Sequence, residues 1–514
     1  MLKAARVLRR IAADTQGAVA MMLALSLIPI SIAALGAVDL ERALSAKSQL
    51  QDALDAAALA ALRASANDPT LLQTTGAAVL VQNLGPNPPF KVVSGPTFVY
   101  GPKGEVLADA SARIDTILVG IFLRDDLTVP AHAEIVRSDV KLEIAMVLDN
   151  SGSMAQNNKI GDLRIAATNF VDTMETAATQ RGDPTAVLMS LVPFSQTVRV
   201  DPGYRGAAWL DDKGKAKIND EIFSKNNTSR FALFDKLQTP WAGCLESRAY
   251  PYDVTDQAAN KADSLFTPYF WPDEPDTGGY NNNYLPDLSN DPDWKARERN
   301  VGKYNVKNPP AFDSSGGPNK ECVIQPLRPL TNDYSALRGD ISRMVPTLDT
   351  NIAMGLVWGW HTISPNGPFA RTGAVPVAPY GDPKHSKIAV VMTDGFNEFN
   401  GVGGTSNKNI TRYEGVGYAW QGRLSMPDGT PLVAGSDADR DQAMDRRLSE
   451  LCQNMKKAGV EVYAVAVGVA PSHEEPFRSC ASAADHYYDV SNGAGLIDAF
   501  KSIAAQIANL HLAR

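Results

Sequence analysis

Glu143-Ile144-Ala145-Met146-Val147-Leu148-Asp149-Asn150-Ser151-Gly152-Ser153-Met154 is the stretch on which the reading of this chain turns. An apolar run from Ile144 to Leu148 ends in Asp149, and two hydroxyls, Ser151 and Ser153, follow on either side of Gly152. A short apolar run closed by a turn signal predicts a buried strand. That strand delivers one carboxylate and two serines into a turn. All three are hard oxygen donors, suited to Mg²⁺ or another hard divalent cation. Taken alone, the same letters also make a helix N-cap turn, because Asp and Ser are favoured caps.

Outward from this stretch, strand and helix patterns alternate, which predicts a parallel α/β sheet. Strands are expected at residues 142–149, 185–193, 387–393, 461–467 and 486–490. Helices are expected at 159–176, 352–362, 438–457 and 496–510. Leu163, Ala167, Phe170 and Met174 fall at core spacing on the first helix, and Met444, Leu448, Leu451 and Met455 on the third. In an open sheet of this kind, ligand residues gather on loops at the carboxyl ends of strands, around the switch point. Two loops carry candidates. Asp349-Thr350-Asn351-Ile352-Ala353-Met354-Gly355-Leu356 places Thr350 at the start of a helix, and Val390-Val391-Met392-Thr393-Asp394-Gly395 places Asp394 after a buried strand.

D-x-S-x-S after an apolar strand, with the T-x-I-x-x-G-L context and the later strand-Asp, resembles the metal-ion-dependent adhesion site of von Willebrand factor A domains. The resemblance implies a site of Asp149, Ser151, Ser153, Thr350 and Asp394 holding Mg²⁺ or another hard divalent cation. It implies direct coordination by the three hydroxyls, with the two Asp acting through water. It also implies an open metal position that takes a Glu or Asp side chain from a protein partner. Asp349 is read as a helix-start residue and Thr393 as structural.

Toward the N-terminus, Lys3, Arg6, Arg9 and Arg10 form a basic flank, and no charge falls between Asp14 and Asp39. Residues 17–38 are almost wholly apolar, long enough to cross a bilayer as a helix. The positive flank predicts a cytoplasmic N-terminus and export of everything after Asp39. A cleaved signal peptide, with small residues at Ala34-Leu35-Gly36, is the competing reading. A helical pattern continues without a breaker over 40–66. Leu40, Leu44, Leu50, Leu54 and Leu59 join Ala43, Ala46, Ala53, Ala57 and Ala60 on its apolar face. One long helix, half in lipid, accounts for this better. The four cysteines include no C-x-x-C pair, so no cysteine zinc site is expected. In an exported domain they suit two disulfides, Cys244 with Cys322 and Cys452 with Cys480.

Gln16-Gly17-Ala18, the apolar run with Pro29, Gly36-Ala37-Val38-Asp39, and Leu50-Gln51-Asp52-Ala53-Leu54-Asp55-Ala56-Ala57-Ala58-Leu59-Ala60 together resemble the N-terminal segment of TadG-like proteins. The family implies a role in tight-adherence (Flp-type) pilus systems of bacteria, and pilus or pilus-assembly components as partners.

The expected organisation is a transmembrane helix with its extension (1–66), a small α+β module (67–140), and a doubly wound von Willebrand factor A domain (141–514). Loop-rich insertions are expected at about 199–340 and 397–436. The first holds Trp209, Trp241, Trp271 and Trp294, four of the seven tryptophans, so it reads as ordered. The 514 residues leave room for several domains. A net charge of −8 without a basic stripe speaks against nucleic-acid binding.

No phosphate loop, H-E-x-x-H or G-x-S-x-G occurs, and no enzyme is expected. His132 is read as structural and His473 as lying at an exposed helix start. A calcium site at Asp273, Glu274 and Asp276 lacks a Gly-centred loop. The expected function is a membrane-anchored, exported, metal-dependent binding module in pilus assembly or adhesion, seated in the bacterial inner membrane. Two other readings stay open: a regulatory module engaging an ATPase, and an anchored metal-dependent hydrolase.

Overall fold

The computed structural model describes residues 15–64, 68–101, 105–117, 126–135, 140–370, 375–402 and 407–508. The basic flank, most of the apolar stretch 117–122, part of the Gly401–Gly404 run and Leu510 lie outside the described residues. The chain divides into two compact units, at Ser138 and Asp139.

The first unit starts with one 50-residue helix, α1 (Thr15–Ala64), which carries Pro29 inside it. Leu23, Leu25, Leu27, Ile28 and Ile30 on its first half are exposed. On its second half Ala43, Ala46, Leu50, Leu54, Ala57 and Ala61 are buried, at helical spacing. Leu40 and Leu44, expected on that face, are exposed. The 3.6-residue period turns them away from the stripe that starts at Ala43. The stripe packs with α2 (Pro69–Leu84) and three antiparallel strands, β1 (Lys91–Tyr100), β2 (Val106–Asp115) and β3 (Asp126–Ile135), in the order β1-β2-β3. Asp68 caps α2 by accepting from the N–H groups of Thr70 and Leu71, with Pro69 in the first turn. The register of β1 slips around Gly95-Pro96, since proline has no N–H to give a ladder.

The second unit is built on a six-stranded sheet. Its strands are β4 (Lys141–Asp149), β5 (Val187–Phe194), β6 (Arg328–Thr331), β7 (His385–Thr393), β8 (Val460–Val467) and β9 (Tyr487–Val490). The spatial order is β9-β8-β7-β4-β5-β6, parallel except for antiparallel β6. Counted within the sheet this is 3-2-1-4-5-6, the doubly wound order, with its switch point between β4 and β7.

The longer helices, which cover its two faces, are α3 (Lys159–Arg181), α4 (Tyr334–Ser342), α5 (Ile352–Ile363), α6 (Asp437–Lys457) and α7 (Gly493–Ile507). β4 is apolar on both faces for this reason. Ala145 and Val147 meet the core that holds α5 and α6, while Ile144, Met146 and Leu148 meet the one that holds α3, α4 and α7.

The stretch assigned to the long insertion carries β6 and α4 at its C-terminal end, and both belong to the main sheet and its core. β6 is four residues long and contains Pro329, so it shows no alternation to read. The rest of that stretch folds on an aromatic core that includes Trp209, Phe231, Phe266, Phe270, Trp271 and Tyr304. Phe266 packs at a tilt against Trp358 of α5, with ring centroids 4.6 Å apart. Cys244 is bonded to Cys322, and Cys452 to Cys480.

Candidate metal centre

β4 ends in Asp149, whose side chain is fully buried, and the chain leaves the sheet in a 3₁₀ turn, Gly152–Asn158. Backbone bonds stitch this turn to its neighbours. Asn150 N–H donates to Phe194 (2.7 Å), Thr347 N–H to Asn150 (2.8 Å), and Gly152 N–H to Leu348 (2.7 Å). A Cβ on Gly152 would stand 3.2 Å from the Leu348 carbonyl oxygen, which explains the glycine between the two serines. The Thr350 loop is fixed in turn. Asn351 N–H donates to Ser195 (3.0 Å), and Glu398 N–H donates to the Thr350 carbonyl (2.9 Å). Asn351 caps α5 through Met354 N–H.

Asp149, Ser151, Ser153 and Asp394 form one connected cluster. Asp149 Oδ1 accepts from Ser151 N–H (2.8 Å), and its Oδ2 accepts from Thr393 Oγ1 (2.6 Å). Ser151 Oγ lies 3.1 Å from Ser153 Oγ, and Ser153 Oγ donates to Asp394 Oδ1 (2.6 Å). Thr350 is buried and faces the same space. A Cβ placed on Gly395 would stand 3.8 Å from Thr350 Oγ1 and 4.0 Å from Ser153 Oγ. The five side chains thus come from three loops at the carboxyl ends of β4 and β7 and the start of α5.

Two further residues act on this cluster. Thr393 holds the second oxygen of Asp149, which its place on the strand beside β4 permits. Lys159, the first residue of α3, donates from Nζ to Asp394 Oδ2 at 2.8 Å. By its spacing Lys159 is expected only to start a helix; nothing in the sequence points its side chain back across the turn.

The electrostatics are those of a site short of positive charge. Burial, and then the charge of Asp394, pushes the Asp149 carboxyl up to about 6, against the bonds from Ser151 and Thr393. Glu398 is pushed up to about 7, by burial first and then by Asp349, Asp441, Asp149 and Asp394. Lys159 is the cation paired with Asp394, while Arg412 pairs with Asp349 at 3.0 Å.

Three hydroxyls and two carboxylates with excess negative charge fit a hard divalent cation. Among the described residues, no three His, Cys, Asp or Glu side chains stand together as a metal cage, so a site here would be rich in hydroxyls. His132 pairs with Asp109 on the surface, and His473 stacks on Phe396 at 4.1 Å. Asp273 pairs with Lys303 of the same insertion, and Glu274 accepts from Tyr418 of the second one.

Residues 17–66 match the Tad family, described as Flp pilus-assembly TadE/G-like. The N-terminal segment is TadE/G-like. No curated protein matches the chain. Among solved structures, the chain is similar to the von Willebrand factor domain of the type V pili tip protein Mfa5 from Porphyromonas gingivalis. That likeness has 13% identity, covers 72% of this chain and 96% of that one, and has a TM-score of 0.33. It is also similar to the pilus adhesin SpaC from Lactobacillus rhamnosus GG, with 14% identity, 83% of this chain covered and a TM-score of 0.35; it spans 35% of SpaC's length. A third likeness is to proximal thread matrix protein 1 of the mussel byssus, a structure with a zinc-occupied MIDAS motif. There the identity is 12%, the coverage 72% and 48%, and the TM-score 0.28. At such scores the fold rests on the strand order and loop placement given above, which are those the von Willebrand factor A resemblance implies.

Proposed function

We propose that this chain is a membrane-anchored, exported docking module of a tight-adherence (Flp) pilus, serving assembly or adhesion. In this reading Asp149, Ser151, Ser153, Thr350 and Asp394 hold Mg²⁺ or another hard divalent cation. The bound ion would supply a Lewis-acidic position open to a carboxylate of a protein partner, among pilus or pilus-assembly components. The observation that carries the reading is the convergence of these side chains at the switch point of the sheet, where open α/β sheets bind ligands.

Four observations support the setting. The TadE/G-like match at residues 17–66 ties the chain to pilus assembly. α1 is the one described helix long and apolar enough to cross a membrane. Two disulfides suit an oxidising compartment, and the basic residues before α1 favour a cytoplasmic N-terminus. We read the site as a docking point rather than a reaction centre: Asp149 and Asp394 are both engaged by hydroxyl or ammonium donors.

The test is in-cell crosslinking of the full chain, repeated with EDTA outside the cell. A protein partner captured with Mg²⁺ and lost in EDTA supports the reading. Capture that ignores EDTA removes the metal from it. A C-terminal reporter active only in the cytoplasm would overturn the exported placement and favour the ATPase-engaging alternative. Metal-dependent turnover of peptide, ester or phosphate substrates would favour the hydrolase.

A further inference from the structure

Asp394 is the candidate ligand that carries an ammonium partner. Its side chain is fully buried, Oδ1 accepts from Ser153, and Oδ2 is taken by the Lys159 ammonium at 2.8 Å. The lysine arrives there by an unusual route. Between Ser153 and Lys159 the turn leaves helical geometry at Gln156 (φ −81°, ψ 146°). It then passes through two consecutive left-handed residues, Asn157 (φ 50°) and Asn158 (φ 59°). Asn tolerates this region better than other residues with a side chain, yet two in succession mark a bend that the surroundings must hold. Residues 155–158 are exposed, whereas Met154 before them is buried. Lys159 itself keeps 17% of its side chain exposed, so its four-carbon stem has a way out to water. The turn is thus anchored at the ligand end and exposed toward the lysine end, where the Asn158 amide donates to Asp162 at 3.2 Å.

We propose that Lys159 is an internal cation that competes with a divalent metal for Asp394, so that metal binding releases the lysine to solvent. This rests on the metal reading of the site given above and names how that site is regulated. An ammonium and a divalent ion close to one buried carboxylate repel each other strongly, since little solvent screens them. The mobile member of the pair is the lysine, because Asp394 is held by Ser153 and directly follows the paired end of β7. Without metal, Lys159 offsets part of the charge of Asp149 and Asp394 and keeps the turn folded over the site. With metal, the ammonium loses its partner, and the turn at 155–158 is the segment able to rearrange. Metal affinity is then tuned downward by one side chain outside the ligand set.

The experiment uses the full chain in detergent micelles, with magnesium chloride as the probe and EDTA as the control. Lysine acetylation, read residue by residue by mass spectrometry, is expected to rise severalfold at Lys159 when Mg²⁺ is added. Lys387, buried against Glu143, stays unreactive in both states and serves as the internal reference. By calorimetry, Lys159→Met is expected to bind Mg²⁺ about tenfold more tightly than the unaltered chain. The labelling is done on the unaltered protein, so it stands even if the variant folds poorly. Saturable Mg²⁺ binding with no change in Lys159 labelling overturns the competition and leaves the metal site standing. Mg²⁺ binding by neither protein overturns the metal reading and the competition together. Binding by Lys159→Met alone supports the competition in its strongest form.

Discussion

Asp149 and Asp394 stand at or just beyond the ends of adjacent strands, and the hydroxyls of Ser153 and Thr393 tie each to the other's loop. Ser153→Ala removes the donor to Asp394 and the partner of Ser151 at once. The loss of such hydrogen bonds costs about 1 kcal/mol each, so the variant is expected to stay folded. It should lose Mg²⁺-dependent partner capture while its circular dichroism is unchanged; capture at the original level would remove Ser153 from the site. A separate residue-scale expectation concerns pH. Burial pushes the part-buried Asp253 carboxyl up to about 6, against the pull of Arg447. Its folded value lies above the ordinary 3.8, so the folded state holds the proton more tightly. This contribution to stability is present at acid pH and falls away as pH rises from about 4 through about 6. Asp253→Asn should therefore flatten the urea midpoint across that window. An unchanged pH slope would show that Asp253 is not the group responsible. Of these residues, the D-x-S-x-S letters, Thr350 and Asp394 were legible because their oxygen-bearing side chains follow readable strands or precede a readable helix. Lys159 was not, since its role depends on a left-handed turn that sends its side chain backward.

At the scale of elements, α5 presses on the sheet more closely than side chains of ordinary size allow. A Cβ on Gly355 would stand 2.3 Å from Phe194 Cγ, and one on Gly359 2.3 Å from Val147 Cγ2. Gly355→Ala is expected to cost about 2 kcal/mol by overpacking. It should also shift the start of α5, where Thr350 and Asn351 sit, so metal affinity should fall with stability. A variant with unaltered thermal midpoint would show that Phe194 gives way freely. The helices and strands of this unit were readable from apolar runs and core spacing because both faces of β4 are covered. β6 was not, for a four-residue edge strand with a proline carries no period. On α1 the face was readable but not its edge: Leu40 and Leu44 share the composition of the stripe and lie outside its phase.

At the scale of the whole molecule, two disulfides tie segments 78 and 28 residues apart in sequence. In the chain-entropy account, closing loops of this length contributes about 4.5 and about 3.6 kcal/mol. The first closes the aromatic insertion, whose Trp209, Trp241 and Trp271 are buried. Reduction is expected to lower the urea midpoint of the purified chain and shift its tryptophan emission to the red. An emission spectrum indifferent to reductant would show that the aromatic core holds the insertion unaided. The insertion was recognisable as ordered because it is too aromatic for a disordered segment, but its path was not, since loops obey no period. What the sequence determined by itself was therefore local and periodic: the long helix, the alternation of strands and helices, and the oxygen-bearing turns. What only the tertiary structure decided was the meeting of distant parts. These are the strand order that puts β7 beside β4, the antiparallel edge of β6, the bond from Thr393 to Asp149, and Lys159 on Asp394. Each depends on side chains brought together from far along the chain, and one sequence records the neighbours of a residue along the chain, not those across the fold.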